Sequence, residues 1–136
     1  MTHRFIARVA SAETDPDGDF LEAGVAEHRD GDGFFLSFMC DGGEPDEQDV
    51  SSGLDTHCLV TVDQGTAYGC VREAVLRGNV LRVSLDPSAL PALNLSDPEI
   101  EAVLEAPAEE IARFRKVLSR VLAYGRRDAR PIRVAL

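Results

Sequence analysis

The chain has 136 residues, 44% hydrophobic and 28% charged, with a net charge of −10. That length suits a single domain with one core, expected to span 1–136. No apolar run approaches the roughly 20 residues that a membrane helix needs, and so acidic a chain repels a phosphate backbone, which argues against nucleic-acid binding.

The charge is unevenly placed. Residues 1–66 carry 15 acidic and 3 basic side chains, a balance of −12, whereas residues 67–136 carry 9 acidic and 11 basic, a balance of +2. The opening stretch from Met1 to Arg8 lacks the apolar region of a secretory signal, so a cytoplasmic location is expected.

Taken in order, Arg4 to Ala10 reads as a first strand. Asp15-Pro16-Asp17-Gly18-Asp19 has the chemistry of a turn. Asp15, Asp17 and Asp19 occupy the spacing of a calcium loop, but Phe20 stands where its glycine belongs and Ala26 where its glutamate belongs, so no metal is expected there. Phe20 to Ala26 forms a second strand. Arg29-Asp30-Gly31-Asp32-Gly33 turns the chain into Phe34–Cys40, apolar at nearly every position and so expected to be covered on both faces. These spacings predict an antiparallel meander.

Asp41-Gly42-Gly43-Glu44-Pro45-Asp46-Glu47-Gln48-Asp49 is a long acidic loop, kept out of regular structure by Pro45 and two glycines. Acid–base catalysis needs two carboxylates in unlike surroundings, and a run of solvated ones offers no such asymmetry. A contact surface for a basic partner suits it better, with Glu44, Asp46, Glu47, Asp49 and the following Asp55 as the contacting residues. The plainer role for Asp49 and Asp55 is to cap local turns.

His57 to Val62 is a fourth strand, Asp63-Gln64-Gly65-Thr66 a hairpin turn, and Ala67 to Leu76 a fifth strand in which Tyr68-Gly69 marks a bulge or a close backbone approach. In Val80–Leu85, Leu81, Val83 and Leu85 share one face and Val80, Arg82 and Ser84 the other. Asp86 and Pro87 open a capped helical turn that Pro91 is expected to stop. Glu99–Glu105 reads as an edge-like strand with Ile100, Ala102 and Leu104 inward.

Pro107 to about Tyr124 is the clearest helix, with Ile111, Phe114, Leu118, Val121 and Leu122 on one stripe. Its acidic first turn and later basic residues match the macrodipole, and Gly125 is a natural stop. The basic tail ends in Ile132, Val134 and Leu136, spaced to dock as an edge strand. The fold class expected is α+β: a largely antiparallel sheet with one long C-terminal amphipathic helix packed on a face.

Cys40, Cys58 and Cys70 are too few and too scattered for a disulfide framework and lie among apolar neighbours, as buried core cysteines do. A zinc site would need CxxC or HxxxH-type spacing, which is absent. A small enzyme using Asp55, His57, Cys58 and Tyr68 is an alternative. Yet His57 and Cys58 are adjacent and would face opposite ways in a strand, and no nucleophile-elbow, P-loop or HExxH motif accompanies them.

Asp46-Glu47-Gln48-Asp49, four residues on Leu54-Asp55-Thr56, then Cys58-Leu59-Val60, and downstream Tyr68-Gly69 with Val71, together resemble the central signature of the Imm10 family of bacterial immunity proteins. The likeness continues through Leu81–Pro87, Leu93, Leu95 and the C-terminal helix, and so covers roughly the last two thirds of the chain. The resemblance implies a small α+β protein encoded beside a toxin, which it neutralises by binding, with no catalytic residue and no cofactor. It supplies no contact residues; the acidic loop is assigned from charge, which would suit a basic toxin such as a nuclease. A generic interaction module, or a homo-oligomer pairing through an edge strand, stands as the other reading.

Overall fold

The computed structural model describes residues 2–14, 20–30, 32–41, 56–125 and 129–136. Its strands are β1 (Thr2–Ala7), β2 (Val9–Thr14), β3 (Phe20–Ala26), β4 (Phe35–Asp41), β5 (Cys58–Thr61), β6 (Thr66–Tyr68), β7 (Val71–Arg77), β8 (Val80–Leu85), β9 (Glu99–Leu104) and β10 (Arg133–Ala135). Two helices, α1 (Leu90–Leu93) and α2 (Ala108–Leu122), accompany them. The fold is mixed and mostly β.

The strands form two five-stranded sheets where one was expected. The meander sheet runs β2-β3-β4-β5-β6, antiparallel throughout. The mixed sheet runs β1-β9-β8-β7-β10, and its two outer pairs, β1 with β9 and β10 with β7, are parallel. The chain crosses between the sheets twice. Arg4–Ala10, read as one strand, breaks at Arg8 into β1 and β2, which belong to different sheets. The stretch read as one strand from Ala67 to Leu76 breaks at Gly69-Cys70 into β6 and β7, again in different sheets.

Alternation sets the faces. In the meander sheet, Ala12, Ala23, Phe38, Leu59 and Ala67 lie in one cross-strand row on the core side. Leu21, Val25, Leu36 and Cys40 extend that side, and all four are buried. The expectation that β4 is covered on both faces needs correction, because Phe35, Ser37 and Met39 on its other face are only half-buried. In the mixed sheet, Phe5, Leu81, Val83, Leu85, Ile100, Ala102 and Leu104 point inward, and β9 is an interior strand between β1 and β8, not an edge.

Helix α2 is 15 residues long, shorter at both ends than the sequence suggested, and packs across β2 and β3. It buries Phe114, Val117, Leu118, Val121 and Leu122; Val117 was not in the expected stripe, and Ile111, which was, is half-buried. Burying a side chain of this size contributes roughly 1.5–3 kcal/mol, so this stripe is a major source of cohesion. Core residues of both sheets and the helix join in one contiguous cluster.

Two close approaches fix the rest. Asp86 caps the turn at Pro87–Ala89 by accepting from the Ser88 N–H, as expected. Pro91, expected to stop the helix, instead sits in the first turn of α1, where its missing N–H costs nothing. The stop is Asn94, in the left-handed region at φ 57°. Its side-chain amide donates to the Asp63 carbonyl, tying α1 to the β5–β6 turn. Gly65 in that turn lies so near Leu93 that a Cβ would stand 2.3 Å from the Leu93 carbonyl oxygen. The tail does dock as an edge strand, β10, paired in parallel with β7, and Leu136 packs against the core, while Ile132 and Val134 stay 79% and 43% exposed.

Candidate functional site

The acidic residues singled out as contacts, Glu44, Asp46, Glu47, Asp49 and Asp55, lie outside the described residues, as does the Asp15–Asp19 turn. The described chain leaves β4 at Asp41 and resumes at Thr56, just before β5. Because β4 and β5 are antiparallel neighbours, both points lie at the same end of the meander sheet. Of the outer-face rows that cross all five strands, the one nearest that end is Glu13–Glu22–Met39–Cys58–Tyr68. Phe20, two residues before Glu22, shares its face.

The remaining signature residues meet at the second crossing between sheets, and their geometry is that of a structural staple. His57 is completely buried. Its Nε2 accepts the Val71 N–H at 3.2 Å, and its carbonyl accepts the Gly69 N–H at 2.9 Å. Since Nε2 is an acceptor, the neutral ring carries its proton on Nδ1, which lies 3.4 Å from the Thr56 hydroxyl. The Cys70 carbonyl accepts the Asp86 N–H at 2.8 Å. Every one of these buried backbone groups is thereby paired where the ladder is interrupted. Gly69 supplies a φ of 64°, which resolves the bulge-or-approach reading: it is the pivot of a sheet change.

This packing also governs the chemistry. Burial lowers the His57 pKa from 6.5 to about 4, so the ring is neutral near pH 7. Burial raises the Cys58 thiol above its ordinary value, against a smaller lowering by its hydrogen bond to Tyr68. Burial pushes the Cys70 thiol up to about 12. An activated cysteine needs the opposite, a lowered pKa and a free neighbouring base. The structure brings His57, Cys58 and Tyr68 together, but Nε2 is committed to the Val71 amide. All three cysteines are buried thiols, as read from the sequence.

Beside the crossing, the Asp86 carboxylate is held below the usual range by the Ser88 backbone N–H, the Ser88 hydroxyl and Arg72. Among the described residues no group of three His, Cys, Asp or Glu side chains is placed to hold a metal ion, and no helix is long and apolar enough to cross a membrane.

The outer face of the meander sheet was not singled out from the sequence. Its signal was present in the alternation of Phe20 and Glu22 against Leu21 and Ala23, but which of two sheets bears that face is decided by the crossings.

Comparison with curated proteins and with solved structures yields no match. The family model described as Immunity protein 10 matches residues 6–112, starting well before the signature and ending within α2. The match thus takes in β2, β3 and β4, where only strand-like character was expected, and stops short of the helix's C-terminal half. Covering both sheet crossings and the His57 staple, it shows that the chain belongs to the Imm10 family of immunity proteins.

Proposed function

We propose that this protein binds a cognate bacterial toxin in the cytoplasm and neutralises it without catalysing a reaction, meeting it through an acidic surface. Membership of an immunity-protein family over residues 6–112 is the observation that carries the reading. The balance of −12 over residues 1–66 supports a basic partner, a nuclease being one such toxin, because complementary charge raises the association rate and favours the correct partner. The raised thiols of Cys58 and Cys70 and the committed ring of His57 further favour a binding protein over a thiol enzyme. Glu44, Asp46, Glu47, Asp49 and Asp55 are the proposed contacts in the segment between β4 and β5.

The test is co-expression with the toxin encoded beside the gene. The toxin alone should kill its host, and co-expression with this chain should restore growth. The purified pair should associate one to one, with an association rate that falls steeply as salt rises. Survival of toxin activity at saturating protein would sink the proposal.

A further inference from the structure

Resting on the toxin-binding reading, we propose that the outer face of the meander sheet, at the end marked by Phe20, Glu13, Glu22 and Tyr68, is an interaction surface for a cationic segment of the toxin. This face is distinct from the contacts assigned to 44–55. Register puts Glu13 directly across from Glu22, with Phe20 two residues before Glu22 on the same face, and the row then runs through Met39 and the buried Cys58 to Tyr68 at the opposite edge of the sheet, three strands from Glu22. Phe20 and Tyr68 are two of the five large hydrophobics that stand exposed among the described residues, at 37% and 48%.

Neither Glu13 nor Glu22 has an ion-pair partner among the described residues. No cation occurs in their row. Toward the other end, across a shallow groove of about 400 Å³, stand His28 and Arg29. The Arg29 guanidinium is 3.6 Å from Glu110, and His28 Nε2 is 4.0 Å from Glu27.

The outer face of the mixed sheet provides the contrast. There Arg4 pairs with Glu101 and Arg82 with both Glu99 and Glu101, while Glu73 shares the face with Arg77, Arg82 and Arg133, so cations stand among its carboxylates. Among the described residues, the meander face sets carboxylates without an ion pair beside an exposed aromatic ring, Phe20, with no cation in their row. A cationic segment suits that combination: a lysine or arginine stem lies along Phe20 while its head group reaches Glu22 or Glu13 and gains cation–π attraction, and the segment runs on along the row to Tyr68. Aromatic anchors at the centre of an interface commonly carry much of its binding energy.

The experiment measures affinity for the neighbouring-gene toxin by calorimetry, using the full chain and variants whose circular dichroism and melting temperature match wild type. Glu13→Lys with Glu22→Lys should weaken binding about a hundredfold, and Tyr68→Ala at least about tenfold. Arg77→Glu, on the mixed sheet's outer face, should change it by less than about threefold, as a substitution outside the contact does.

Binding by the face variants within threefold of wild type, with loss on neutralising residues 44, 46, 47, 49 and 55, would overturn this surface and leave the toxin reading standing. An equal loss with Arg77→Glu would overturn the surface as well. If wild type does not bind the toxin, both fall together. Should Tyr68→Ala alter the melt through its hydrogen bond with Cys58, Phe20→Ala replaces it, with the same expected loss.

Discussion

The chain crosses between its sheets twice, and it secures the two crossings by different means. At Arg8 the step is one residue long and lies between two six-residue strands, each paired along its whole length. The Ala7 carbonyl accepts the Glu105 N–H at 2.8 Å, and Arg8 itself is exposed. At Gly69-Cys70 the incoming strand β6, an edge strand as β1 and β2 are, has only three residues, so its ladder is half as long and gives the step less support. A buried histidine that accepts the Val71 N–H, a left-handed glycine and two tertiary backbone bonds hold the step. The difference teaches that long strands determine a sheet change through their ladders, whereas a short edge strand requires side-chain machinery.

Removing that machinery should have the largest effect. His57→Ala leaves the Val71 N–H buried without an acceptor and opens a cavity where a fully buried ring stood. The expected loss is about 3–5 kcal/mol of unfolding free energy, measured by urea denaturation near neutral pH. A loss below about 1 kcal/mol would show that the crossing holds without the ring.

Protonating the same ring should act nearly as strongly. In the folded protein its pKa is about 4, against 6.5 when free, so the unfolded chain binds the proton more readily. The contribution of neutral His57 is therefore complete above about pH 6.5 and is lost as the pH falls toward 4. Its full extent is on the order of 3 kcal/mol. Urea midpoints of wild type and His57→Gln, followed from pH 7 to 4.5, isolate this term because the carboxylates titrate in both proteins. Wild type should lose stability more steeply; parallel curves would refute the assignment.

Gly69→Ala tests the pivot. Its Cβ would stand 3.4 Å from the Ala129 Cβ and the Thr56 Cγ2, an ordinary contact, so space is not the obstacle. The φ of 64° is, and an L side chain there costs about 1–2 kcal/mol. Thermal melts should show that loss, and an unchanged melting temperature would mean that the turn relaxes to another conformation.

The two crossings also separate what the sequence reveals from what it conceals. Gly69 stood out as a special backbone position, though its consequence, a change of sheet, depends on partners far along the chain. Arg8 left no mark, because Arg4–Ala10 keeps an unbroken strand pattern and no glycine or proline interrupts it. Local periodicity gave β8 to the residue, β9 to within one, and most of the buried stripe of α2, since those signals depend only on near neighbours. The parallel pairing of β1 with β9 joins residues 97 apart, as in the Arg4–Glu101 pair, and no local pattern encodes it. Of the candidate site, the acidic segment was visible as composition, and the outer-face row of Glu13, Glu22 and Tyr68 emerged only once the register aligned three separate strands.

The smallest effect belongs to the other crossing. Arg8→Ala should change stability by less than about 0.5 kcal/mol, as surface substitutions away from specific contacts do. The side chain is exposed and has no ion pair among the described residues. What holds the step is backbone: the Ala7 carbonyl on Glu105, and the pairing of Val9 and Ala10 with Ala26 and Val25. None of these bonds involves the guanidinium. The melting temperature of Arg8→Ala should therefore lie within about 2 °C of wild type. A loss comparable to that of His57→Ala would mean that the first crossing, too, depends on a side chain, and the contrast between ladder and staple would fail.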